Sequence, residues 1–393
     1  MKKILPYGKH YIDQDDVDAV IDVLKNKNLT QGDEVPKFEN AVAKYVGAKF
    51  AVAMSSWTAG LHMACLASGL KTNETVVTSP ITFVASSNAP LYCDAKVDFV
   101  DIDEDTINID PLKLESKLEQ TSTPKAVIPV HFSGLPCDMK RIHKIAKKHN
   151  CLVIEDAAHA LGARYEDGSM VGCCKYSDMT GFSFHPVKSI AAGEGGLITT
   201  NDPEIYKKLL RLRSHGINKL NDELKNKELA FSNGSLNPWY YEMQELGYNY
   251  RITDIQCALG GSQLKKLPQF LDKRQKLVER YDLGFADNKY ISPIQINFRE
   301  RSSHHLYVVR IKFKKLKITR NQLMNKLSEE GILTQVHYIP VTSHPYYQSL
   351  GFCTDEYPIS KSYYEETLSI PLYFSLSFSD QDKVIQKINE LVA

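Results

Sequence analysis

Residues 154–196 read IEDAAHALGARYEDGSMVGCCKYSDMTGFSFHPVKSIAAGEGG. The stretch begins on the tail of an apolar run, Cys151-Leu152-Val153-Ile154, and puts an acid, Asp156, just past it. A second strand-like run, Gly181-Phe182-Ser183-Phe184, leads to Lys188 and then to a glycine-rich turn, Gly193-Glu194-Gly195-Gly196. Short apolar runs that do not alternate, bounded by turn residues, fit strands buried on both faces of a parallel sheet. One helix-sized connection and one strand separate the acid from the lysine. Both therefore fall at the edge of an open α/β sheet where ligands bind.

Working outward, the same style recurs. Further strands are expected at Phe50–Met54, Thr75–Thr78, Val97–Val100, Ala126–Val130 and Gly196–Thr199. Helical segments lie between several of them, at Leu61–Ala67, Asn88–Tyr92, Pro111–Leu118 and Met139–His149. Repeated strand–helix units imply a mostly parallel sheet. Before them come an extended arm (1–13) and two amphipathic helices. The first opens at Asp13 and sets Val17, Val20, Ile21 and Leu24 on one face; the second runs from about Val35 to Tyr45. Past Gly216 lies a long polar region, 217–247, and then a long helix, Asp254–Tyr281. From about 305 the pattern is α+β: a half-exposed strand at His305–Phe313, a helix at Thr319–Gly331 capped by Thr319, a strand at Leu333–Tyr338 and a last helix at Ser379–Val392. The boundary is expected inside the 254–285 helix, dividing the chain into 1–265 and 266–393.

The 393 residues, 43% of them hydrophobic, suffice for two domains. A formal net charge of +1 gives no argument for a nucleic-acid partner. The 8 cysteines include no C-x-x-C pair, and several sit in apolar runs, as in a reduced, cytoplasmic protein. No run of roughly 18–20 apolar residues suggests a membrane span, and the start MKKILPYGKHY lacks the apolar stretch of a secretory leader. No metal site is expected, since adjacent Cys173 and Cys174 suit one tetrahedral ion poorly.

A carboxylate and an amine at neighbouring strand ends are what pyridoxal phosphate chemistry requires: the acid pairs with the ring nitrogen, and the lysine joins the aldehyde. Semi-apolar company, Pro186-Val187 before and Ser189-Ile190-Ala191-Ala192 after, suits a lysine whose pKa falls on desolvation. Ser55–Gly60, between a strand and a helix, collects backbone N–H groups where Thr58 and Ala59 can meet a phosphate. Phe83 can stack on a flat ring, and Ser183 can add a hydroxyl to the phosphate site. Each feature taken singly has an ordinary alternative: a capped turn, a core phenylalanine, a solvated lysine. No GxGxxG or Walker loop supports a nucleotide-binding Rossmann protein.

Together the motifs carry a resemblance. Thr58-Ala59, SPITFVAS (79–86), EDAAHALGA (155–163), SFHPVKSIAAGEGG (183–196), RSHG (213–216) and YNYRITDIQCALG (248–260) resemble the DegT/DnrJ/EryC1/StrS family of sugar-nucleotide aminotransferases from about Tyr7 to the C-terminus. The resemblance implies an α/β protein of the aspartate-aminotransferase-like fold type I: a large domain with a mostly parallel mixed sheet, plus a small α+β C-terminal domain. It also implies pyridoxal 5'-phosphate as cofactor and a homodimer. It makes Lys188 the Schiff-base lysine, Asp156 the partner of the pyridine nitrogen, and His159 the neighbour of the phenolic oxygen. Phe83 becomes the stacking aromatic, and Thr58, Ala59 and Ser183 phosphate ligands. Asn249, with Arg251 as second candidate, reaches the phosphate of the other subunit. Trp57 departs from the family, where a small residue is usual.

Within the family, LTQG (29–32), FHPVKSI, WYYEMQELGYNYR and TQVHYIPV (334–341) resemble C4 aminotransferases of the pseudaminic-acid route, which transfer the amino group of L-glutamate to a UDP-4-ketosugar. That likeness makes Leu29, Thr30, His337 and Tyr338 sugar-nucleotide contacts, although His337 and Tyr338 also suit plain alternation on a strand. Two rivals have less support. Related dehydratases carry histidine at the lysine position or add an iron–sulfur cluster, whereas Lys188 is present and no cysteine cluster is evident. A non-catalytic regulator would need a DNA-binding helix pair or a basic face.

Overall fold

Seven strands form the large sheet: β1 (Phe50–Met54), β2 (Thr75–Thr78), β3 (Lys96–Phe99), β4 (Pro124–Val127), β5 (Leu152–Asp156), β6 (Met179–Ser183) and β7 (Gly196–Thr200). The computed structural model describes residues 3–218 and 224–393. The strand order is β1-β7-β6-β5-β4-β2-β3. Only β7 runs against its neighbours; β6, β5, β4, β2 and β3 pair in parallel. The sheet is buried on both faces, with one apolar cluster on each side. This explains why its strands read as unbroken apolar runs. β5 and β6 pair in register from Ile154–Met179 to Asp156–Gly181. Asp156 and the start of the lysine loop therefore leave the same edge of adjacent strands.

Four helices flank the first half: α1 (Gln14–Asn26), α2 (Glu34–Val46), α3 (Trp57–Ala67) and α4 (Ala85–Leu91). α1 starts at Asp13, which forms a reciprocal capping box with Asp16. Its expected apolar face is corrected by the structure: Val17, Ile21 and Leu24 are exposed, while Val23 and Asp16 are buried. The helix docks through charge rather than through that stripe. Asp16 accepts from Gln263 Nε2 at 2.7 Å and pairs with Lys266 at 2.9 Å, both on the long helix Asp254–Phe285.

A second antiparallel sheet joins Ile291–Pro293, Tyr307–Ile311 and Thr367–Ile370 in that order, over its own apolar core. Two expectations change here. The strand expected to be half-exposed at His305–Phe313 is the central one, with only Arg310 of Tyr307–Ile311 partly open. Leu333–Tyr338 is extended but not a strand; a single bridge, Gln335 to Ser369, ties it to the sheet. Gln335, Val336, His337 and Tyr338 of this segment line a cavity. The 217–247 region contains two-residue pairings and a short helix, Lys227–Ala230, with 219–223 outside the described residues. All 8 cysteines are free thiols. Among the described residues no helix is long and apolar enough to cross a membrane, and no group of His, Cys, Asp and Glu side chains could hold a metal ion.

Candidate active site

At the carboxyl ends of β5 and β6 lies a cavity of about 660 Å³. Its lining includes Thr58, Phe83, Asp156, His159, Ser183, Lys188, His337 and Tyr338. Residues spread over 280 positions of sequence thus converge on one space: the strand ends of the large sheet deliver Thr58, Phe83, Asp156 and Ser183 to one edge, and the segment bridged to the small sheet brings His337 and Tyr338 over it.

Asp156 ends β5 and is 5% exposed. Three donors hold its carboxylate: Trp57 Nε1–H to Oδ1 at 2.8 Å, Ser86 Oγ–H to Oδ2 at 2.6 Å, and the Ala158 N–H to Oδ1 at 3.2 Å. A buried carboxylate is tolerated when donors replace its water.

Lys188 sits on a loop pinned at its base, where the Phe184 N–H donates to Gly195 O at 2.9 Å and the Ala192 N–H to Phe184 O at 2.9 Å. Phe184 is fully buried and packs edge-on against Phe38 at 5.1 Å. Burial lowers the Lys188 amine to about 8, while the charge of Asp156 acts the other way. Among the described residues no carboxylate reaches ion-pairing distance of its Nζ. The result is an amine with a sizeable neutral fraction near physiological pH, which nucleophilic and general-base work both need.

Three histidines gather beside it. The rings of His159 and His305 lie 4.3 Å apart, and Tyr338 Oη is 3.2 Å from His159 Nε2. His337 Nδ1 is 2.8 Å from Ser369 Oγ, and Tyr363 Oη–H donates to His337 O at 2.8 Å. Burial, with the nearby Lys188 charge, holds His159 and His305 well below the ordinary histidine value and lowers His337 to about 3. His304, also buried, falls to about 3. These rings are neutral at pH 7 and act as hydrogen-bonding surfaces. Arg274, buried in the long helix, fixes their loop by donating from Nη1 to His304 O and His305 O, each at 3.1 Å, and to Leu372 O at 3.2 Å.

Phe83 is 60% exposed and faces the cavity, with its ring 6.4 Å from that of Tyr338. It is not a core phenylalanine. The turn at residues 55–60 is shorter than expected: α3 begins at Trp57, and Ser56 is its N-cap. The Ala59 N–H already donates to Ser56 Oγ at 3.1 Å, and Ala59 does not line the cavity, whereas Thr58 does. Three other expected residues lie outside the lining. Leu29 and Thr30 belong to a loop tied to the start of the long helix by the Thr30–Thr253 bridge and by the Asp254 N–H to Leu29 O bond of 3.0 Å. Asn249 is exposed and bridges to Ser214.

Sequence reasoning did not assign Trp57, Ser86, Tyr7 and His305, which all stand at the site. Ser86 closes the quoted motif SPITFVAS, so its place one turn past Phe83 was a usable signal. Tyr7 of the N-terminal arm, whose ring is 5.3 Å from His337, had none.

The sequence profile of the DegT/DnrJ/EryC1/StrS aminotransferase family matches residues 10–389. Similar relatives include the spore coat polysaccharide biosynthesis protein SpsC of Bacillus subtilis, 40% identical over 99% of this chain and 97% of that protein. The UDP-4-amino-4,6-dideoxy-N-acetyl-beta-L-altrosamine transaminase of Campylobacter jejuni is 40% identical over 96% of this chain and 94% of its own length. Among solved structures, Helicobacter pylori PseC, an aminotransferase of pseudaminic-acid biosynthesis, superposes with a TM-score of 0.89 at 31% identity, covering 99% of both chains. The putative sugar aminotransferase Spr1654 of Streptococcus pneumoniae in its PLP form gives 0.88 at 28% identity, also over 99% of both.

Proposed function

The chain belongs to the DegT/DnrJ/EryC1/StrS aminotransferase family, and from that premise we propose its reaction: transfer of the amino group of L-glutamate to C4 of a UDP-4-keto-6-deoxy-N-acetylhexosamine. The product is UDP-4-amino-4,6-dideoxy-N-acetyl-β-L-altrosamine. The observation that carries the chemistry is that buried Asp156 and the desolvated Lys188 line one cavity. The substrate reading rests on the relatives of that name at 40%, 39% and 32% identity.

The residues fit pyridoxal phosphate. An anchored carboxylate meets a ring nitrogen, an exposed phenylalanine offers a flat face, and the hydroxyls of Thr58 and Ser183 stand by the N-terminal end of α3 for a phosphate. When bound, the cofactor supplies an aldehyde that exchanges amines and a protonated ring that withdraws electrons from the carbon being deprotonated. Asp156 would hold the proton of the ring nitrogen, and His159, kept neutral by burial, would meet the phenolic oxygen. Lys188 Nζ removes the proton from the α-carbon of glutamate and later delivers a proton to C4 of the sugar. The face from which Lys188 approaches sets the new stereocentre. His337 and Tyr338 contact the sugar nucleotide from the small domain (266–393), and Leu29 and Thr30 do so from the 29–32 loop. A second copy of the chain contributes Asn249 or Arg251, which makes the working form a homodimer, and the enzyme acts in the cytoplasm.

Similarity to SpsC supports a second reading, another nucleotide 4- or 3-ketosugar as acceptor. A panel of nucleotide ketosugars assayed with glutamate, with product stereochemistry read by NMR, separates the two. Lys188→Ala is expected to abolish turnover; retained transamination would refute the role of Lys188.

A further inference from the structure

Trp57 opens α3, and the fold has made room for its indole. Its side chain is 6% exposed and lies in a slot bounded by two glycines on two elements, while a third glycine makes room for its backbone. A Cβ on Gly181 of β6 would fall 1.7 Å from Trp57 Cη2, and one on Gly60 of α3 would fall 2.6 Å from Cε3. A Cβ on Gly196 of β7 would meet the Ser56–Trp57 backbone at 2.6 Å. Any apolar ring would fill such a slot. The indole does more, because its single polar atom lands on the acid at 2.8 Å.

We infer that Trp57 is a positioning residue for this chain's cofactor: its indole N–H aims the Asp156 carboxylate so that one acceptor direction stays open to the ring nitrogen. The inference rests on the functional reading above. A carboxylate offers about four lone-pair directions. Trp57 and the Ala158 N–H occupy both on Oδ1, and Ser86 takes one on Oδ2. The remaining direction, on Oδ2, is the one available to a ligand in the cavity that Trp57, Asp156 and Lys188 line together. With Trp57 on one oxygen and Ser86 on the other, the carboxylate cannot rotate without breaking a charge-assisted bond.

Trp57→Phe keeps a ring in the slot and removes only the N–H. The expected result is a melting temperature close to that of the unaltered protein, about tenfold weaker retention of pyridoxal phosphate, and a shifted 15N resonance of the bound ring nitrogen. A second measurement uses the unaltered side chain. The sequence has two tryptophans, Trp57 and Trp239, so 15N-indole labelling yields two signals that Trp239→Phe assigns. Pyridoxal phosphate should move the Trp57 signal, and inorganic phosphate alone should not. The inference is overturned if Trp57→Phe binds the cofactor with unchanged affinity and ring-nitrogen resonance, or if the Trp57 signal ignores the cofactor. If the unaltered protein takes up no pyridoxal phosphate, the functional reading fails first and this inference with it.

Discussion

The lowered basicity of Lys188 makes a quantitative prediction about the rate at which the cofactor-free protein captures pyridoxal phosphate. Only the neutral amine attacks an aldehyde. At pH 7 a lysine with the ordinary value of 10.5 is neutral in about 0.03% of molecules; one at about 8 is neutral in about 9%, roughly a 300-fold difference. The cause is desolvation in the cavity, opposed by the nearby Asp156 charge. The capture rate, followed by stopped-flow absorbance at fixed excess cofactor, should climb about tenfold from pH 6 to 7, bend near pH 8 and be flat by about pH 9.5. Asp156→Asn removes the charge that favours the ammonium form, so the bend should move to lower pH. Lys188→Ala should leave only the slow, unsaturating rise of solvated lysines. A rate for the unaltered protein that keeps rising through pH 10 would refute the desolvation argument. A bend that moves upward in Asp156→Asn would refute the direction assigned to the Asp156 charge.

The same burial and packing fix further outcomes. Because the folded state holds Lys188 below its unfolded value, it binds fewer protons between pH 8 and 10.5, so stability rises with pH in that window. The cost is fully present below pH 8, so Lys188→Met in the cofactor-free protein should raise the melting temperature at pH 7, by an amount that shrinks towards pH 10.5. Gly181→Ala forces a methyl group onto Trp57 and should cost about 1–3 kcal/mol or more in chemical denaturation; Trp57→Ala in the same chain should recover part of that loss, and full additivity would contradict the contact. Glu155 is wholly buried and receives Tyr165 Oη–H at 2.6 Å, Thr180 Oγ1–H at 2.8 Å and the Ser177 hydroxyl, with His131 Nε2 at 2.7 Å. Glu155→Ala strands these groups and should destabilise by about 3–5 kcal/mol, measured by urea unfolding.

Much of the core architecture was legible because it is built from local signals. β5 and β6 announced themselves as unalternating apolar runs, although β5 extends two residues past Ile154, to Asp156, and β6 spans Met179–Ser183. Asp156 and Lys188 were readable because one ends a strand and the other lies on the loop that leaves the next, and strand direction carries both to one edge. Thr319 capped its helix as its position suggested. Where the reading failed, the deciding neighbour was distant. α1 shows a clean apolar stripe, yet it docks through Asp16 because Gln263 and Lys266 wait on the long helix. Leu333–Tyr338 alternates like a strand, but only one bridge to Ser369 forms, and pairing is a property of two segments.

By itself the sequence determined the fold class, the family and the two poles of the candidate site, since these depend on period, turn chemistry and residues adjacent in the chain. Tertiary structure alone decided what surrounds those poles. Trp57 reaches Asp156 across 99 positions only because residue 181 lacks a side chain. His159 and His305 lie 4.3 Å apart and stay uncharged only because the fold buries them together beside Lys188. Burial and contact at long separation are three-dimensional quantities, and they set both the basicity of the lysine and the aim of the acid.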